Sequence, residues 1–135
     1  RVTVEVDYQL TVDHVPLIIA HERVVFADAA MGLDAQFRLT PVATAPGAGM
    51  GSHRLTPEAA LHLAELLYGK APQGWVLSIA GIEFGEVSEG LTPWAQVNLK
   101  CAVGFMKQWI AGDSQSAELT GWDLLKCPAA GSDLP

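Results

Sequence analysis

The chain has 135 residues, half of them hydrophobic, which is enough for one compact core and too few for two. Eight basic residues against fifteen acidic ones leave a formal net charge of −7, with no Lys/Arg cluster, so the positive footprint of a nucleic-acid binder is missing. The longest apolar runs, such as "VPLIIA" and "VVFA", fall far short of the roughly 18–20 residues of a membrane-spanning helix, so no membrane insertion is expected.

The opening "RVTVEVDY" sets Val2, Val4 and Val6 against Thr3, Glu5 and Asp7, the period of two that predicts a strand with one buried face. Thr11 then caps a short helix through "VDHVPLIIAHE", with Asp13 in its first turn and Pro16 limiting where it can start. His14 and His21, seven residues apart, are expected on a solvated face. "RVVFADAA" is an almost unbroken apolar run that predicts a central strand covered on both faces, ended by Asp28.

"DAQFRLTPVA" alternates through Ala35, Phe37 and Leu39 as another strand, with Pro41 at its edge or end. "TAPGAGMGS", three glycines in nine residues, is a loop. "RLTPEAALHLAELLYG" carries the punctuation of a helix: Thr56 as N-cap, Pro57 first, Glu58 in the first turn and Gly69 as the left-handed stop. Leu61, Ala64, Leu67 and Tyr68 mark its expected buried stripe, and Glu58, His62 and Glu65 its wet face.

"GWVLSIAGI" predicts a second central strand, followed by the acidic loop "EFGEVSEG". Its Glu83, Glu86 and Glu89 lack the spacing of a calcium loop. "LTPWAQVNLKCAVGFMKQWIAG" repeats the helix punctuation with Thr92 and Pro93 and runs to about Gly112. Cys101 falls on its apolar face as a small buried hydrophobe, and Cys127 lies in a polar tail. Neither cysteine has a CxxC partner, so a cysteine metal site is not expected and a reducing cytoplasm is. Residues 1–112 read as one domain and residues 113–135 as a C-terminal tail.

This order of elements predicts an α/β domain of three layers, α/β/α, with a mostly parallel central sheet. Ligands of such sheets gather beyond the carboxyl ends of the strands. Asp28 at a strand end and His53, in a glycine-rich loop before a helix, are the candidates for that rim. A carboxylate and an imidazole together suit a borderline metal such as nickel or zinc. No GxSxG, GxxxxGK[ST] or GxGxxG word is present, so serine hydrolase, P-loop and dinucleotide-binding chemistries have no motif.

The succession of "YQLT", "RVVFADAA", "GSHRLTPEAALHLAELLYGKAP" and "WVLSIAGIEFGEVSEGLTP" resembles the nickel-iron hydrogenase maturation proteases. These endopeptidases trim the C-terminal extension of the hydrogenase large subunit. The resemblance runs from about Val2 to about Ile110. It implies a phosphorylase/hydrolase-like fold, in which Asp28 of "FADA" and His53 of "GSH" contact nickel already loaded into the large-subunit precursor. Nickel then serves as the recognition element, and no organic cofactor is implied. Tyr8, Gln9 and Leu10 are placed by the same resemblance near the cleft, with Gln9 as the substrate-binding residue.

The family's leading strand, its "GxGN" turn and the "DDGxG" segment that supplies a third carboxylate have no match here. The expectation is therefore a sequence lacking that leading piece, without protease activity by itself. The alternative reading is a non-catalytic relative that binds a hydrogenase subunit or assembly factor without cutting it.

Overall fold

The structure, a computed structural model, describes residues 2–45, 55–81 and 93–112, together with the backbone of 119–120. The chain divides into two compact units: Arg1–Phe26 with Val42–Trp75, and Ala27–Pro41 with Val76–Pro135.

In the first unit the Thr11 hydroxyl accepts the Asp13 N–H at 3.3 Å and opens a 3₁₀ turn over Val12–His14. The turn continues as α1, Val15–Ile19, with Pro16 inside its first turn, where a missing N–H costs no hydrogen bond. Helix α2 spans Pro57–Tyr68. Thr56 Oγ1 accepts the Ala59 N–H at 3.1 Å, and Gly69 takes the left-handed conformation at φ +77° while donating to the Glu65 carbonyl. Both ends thus follow the expected punctuation.

The buried residues of α2 are Ala59, Ala60, Leu61 and Ala64. Leu67 and Tyr68, expected in the stripe, are instead 63% and 46% exposed. Ile18, Ala60 and Leu61 form that core, with Leu10, Val24, Phe26, Val42, Leu55 and Ala71 packed around it.

The predicted first strand is absent among the described residues. Val2, Val4 and Val6 lie in extended chain and are 56%, 77% and 87% exposed. Alternation alone does not make a strand; a partner must accept its backbone hydrogen bonds.

Four strands form one sheet in the order β1-β3-β2-β4, with β1 Arg23–Ala30, β2 Phe37–Val42, β3 Gln73–Ala80 and β4 Leu119–Thr120. The Gln73 N–H bonds the Glu22 carbonyl where β1 and β3 begin, and the Gly81 N–H bonds the Ala30 carbonyl where they end. These two strands are therefore parallel. The Ala80 N–H bonds the Gln36 carbonyl, so the end of β3 meets the start of β2 and the pair is antiparallel. β4 is antiparallel to β2, with Arg38 opposite Thr120 and Leu39 opposite Leu119.

The α/β class holds, but the sheet is mixed rather than mostly parallel. Residues 31–36, six in all, join β1 to β2. A link that short cannot carry the chain back along a strand, as a parallel crossover requires. Pro41 lies past the two residues of β2 that pair with β4, as a proline near a sheet margin should. β1 stands at the edge of the sheet with no residue fully buried, a correction to the expected doubly covered strand.

In the second unit α3 spans Pro93–Ala111 and buries Val97, Asn98, Cys101, Ala102, Phe105 and Trp109, a stripe at steps of three and four. Phe105 packs on Phe37 with ring centroids 5.2 Å apart. The buried Asn98 donates from Nδ2 to the Ala80 carbonyl at 2.9 Å. Cys101 is buried as expected, yet it is disulfide-bonded and not a free thiol. The chain's other cysteine, Cys127, lies outside the described residues, as do Thr92 and the acidic loop of Glu83, Glu86 and Glu89. Among the described residues no helix is long and apolar enough to cross a membrane.

Candidate functional site

Asp28 sits within β1, two residues before its end, and not at the terminus expected from the sequence. Its side chain is exposed, and Oδ1 accepts the N–H of Ala29 at 2.8 Å. A charge on an edge strand also has a structural use, since it discourages another chain from pairing there. His53 lies outside the described residues.

Gln9 is exposed, in the bend that follows the extended segment. Asp7 Oδ1 accepts the Tyr8 N–H at 2.7 Å on one side of it, and on the other the Leu10 carbonyl accepts the Leu55 N–H at 3.0 Å. That second bond ties the residue after Gln9 to the segment entering α2. Gln9 belongs to the first unit and Asp28 to the second.

The two histidines assigned to a solvated face are both partly buried and bonded. The Thr11 N–H donates to His14 Nδ1 at 3.0 Å, which leaves the proton of the neutral ring on Nε2, 3.2 Å from Asp7 Oδ2. His21 Nδ1 lies 2.9 Å from the Leu17 carbonyl, an acceptor only, so this nitrogen carries the proton. Its Nε2 then accepts the hydroxyl of Thr3 at 3.1 Å. The extended segment 2–7 is thus tied to the first unit through two imidazoles, while its valines remain in water.

Glu5 joins His14 and Asp7 in one cluster: a carboxylate oxygen from each acid and an imidazole nitrogen all lie within 4.8 Å of one another. The sequence held two signals for it. Glu5 and Asp7 are two apart in an extended pattern and so share a side, and Thr11 to His14 has the three-residue spacing of a capping box, with histidine in the place usually held by Glu or Gln.

Comparison with protein-family models, with curated proteins and with solved structures finds no match for this chain.

Proposed function

We propose that the chain is a hydrogenase maturation endopeptidase that removes the C-terminal extension of the nickel-loaded large-subunit precursor. The observation that supports this best is Asp28: an exposed carboxylate near the carboxyl end of a strand parallel to its neighbour, where α/β sheets collect ligands. The ordered words around it, from "YQLT" to "EGLTP", supply the family resemblance.

On this reading Asp28 and His53 offer an oxygen and a nitrogen donor to nickel, which belongs to the substrate, and Gln9 contacts the precursor. Nickel supplies Lewis-acid polarisation of the scissile carbonyl or its attacking water. Water adds to the carbonyl carbon, the C–N bond breaks, and the departing amine takes the proton. The reading also carries helices on both faces of a mostly parallel sheet and a cytoplasmic location. The antiparallel β2 stands against the first, and the Cys101 disulfide stands against the second, because disulfides persist mainly in oxidising compartments.

The rival reading is a non-catalytic relative that binds a hydrogenase subunit without cutting it. Incubating the chain with nickel-loaded and nickel-free precursor, and following the extension by mass spectrometry, separates the readings. Nickel-dependent cleavage that Asp28→Asn lowers by about a hundredfold or more supports the protease, a loss of the size that follows removal of a group acting on the reacting centre. Binding without cleavage selects the second role, and no binding at all overturns both.

A further inference from the structure

We infer that Glu5, Asp7 and His14 form a site for a borderline divalent metal ion such as zinc, which fastens the extended segment 2–7 to the first unit. The inference is independent of the proposed protease activity and uses neither Asp28 nor His53.

Two carboxylates and one imidazole make a donor set suited to a first-row divalent ion, since the nitrogen ligand disfavours magnesium and calcium. Their ligand atoms already lie within 4.8 Å of one another. An ion about 2.0–2.2 Å from each needs them only roughly 3–3.6 Å apart. Glu5 and Asp7 are both exposed, so small side-chain rotations close the gap.

The imidazole is the fixed member, and its outer partner is in place. Coordination through Nε2 moves the ring proton to Nδ1, so the Thr11 N–H gives up its bond to that nitrogen, and the Thr11 carbonyl and hydroxyl, each 3.3 Å away, accept the new N–H. Metal-bound histidines characteristically donate their second ring N–H to such a carbonyl.

A second observation concerns what else holds this segment. Val2, Val4 and Val6 are exposed, among the described residues no strand pairing involves residues 2–7, and side chains tie the segment to the rest of the first unit at Asp7 to His14 and Thr3 to His21. Two carboxylates are nevertheless brought together beside one imidazole. A cation shared by all three groups accounts for that convergence.

The test is calorimetric titration of the chelator-treated full chain with zinc alone, alongside magnesium as a control. The expected result is one zinc per chain at micromolar concentration and no magnesium binding. Glu5→Gln, Asp7→Asn and His14→Gln each weaken zinc binding about tenfold or more. The last keeps an acceptor for the Thr11 N–H and so preserves the turn, and circular dichroism checks that all three variants are folded. His62→Ala, beside Glu58 and Glu65 on α2, leaves zinc binding unchanged. Absence of zinc binding, binding that survives the three substitutions, or loss of binding in His62→Ala overturns the proposal.

Discussion

Gly74, near the start of β3, is a position where a single methyl group matters. A Cβ there comes 2.7 Å from Leu61 Cδ1 and 3.6 Å from Val24 Cγ1, and Leu61 is among the most deeply buried side chains of the chain. Gly74→Ala is expected to destabilise the protein by about 1–3 kcal/mol through overpacking, read as a lower urea midpoint at unchanged slope. In a Leu61→Ala background the same substitution loses most of its cost, because the clash and its partner disappear together. None of this was legible beforehand: a glycine next to a tryptophan in an apolar run says nothing of the leucine thirteen positions earlier. Asn98 is a similar case. It sits on an apolar helix face, and only the approach of the Ala80 carbonyl explains why an amide is buried there.

Helix ends were readable because their chemistry is local. Thr56, Pro57 and Gly69 specify α2 through bonds that reach no farther than four residues, and the structure makes them as written. Thr56→Ala removes the acceptor for the Ala59 N–H and is expected to cost about 1 kcal/mol, measured as a fall in thermal midpoint with retained far-ultraviolet dichroism. Which face a helix buries depends on neighbours, so the stripe of α2 was misplaced by its last turn. Strands suffered more. "RVTVEV" has the period of a strand and, among the described residues, no partner, and "RVVFADAA" has the composition of a central strand and an edge position. The histidine ties of segment 2–7 follow the same rule: helical spacing puts His14 and His21 on a solvated face, whereas their partners Asp7 and Thr3 come from outside the helix.

At the scale of the molecule the α/β class followed from the alternation of elements, and strand direction did not. The length of the β1–β2 link was available in the sequence, and it decides that β2 runs back against β3. Of the candidate site, Asp28 fell on the predicted strand, Gln9 on an exposed bend, and His53 beyond the described residues. The cysteines show the limit of reading context one residue at a time. Cys101 looked like a buried hydrophobe and is one, but burial does not reveal an S–S bond. In denaturant without reductant, Cys101 is expected to resist alkylation, and to become labelled only after reduction, as read by peptide mass. Labelling before reduction contradicts the bond.

The edge position of β1 has a kinetic signature along its backbone. In a parallel ladder the N–H groups of a strand point alternately to one side and the other, and among the described residues β1 has a sheet neighbour on the β3 side only. Solvent deuterium should therefore enter β1 with a period of two, fast at amides facing away from β3 and slow at those facing it. The rhythm that the sequence displayed in its first residues belongs instead to proton traffic in the strand that follows.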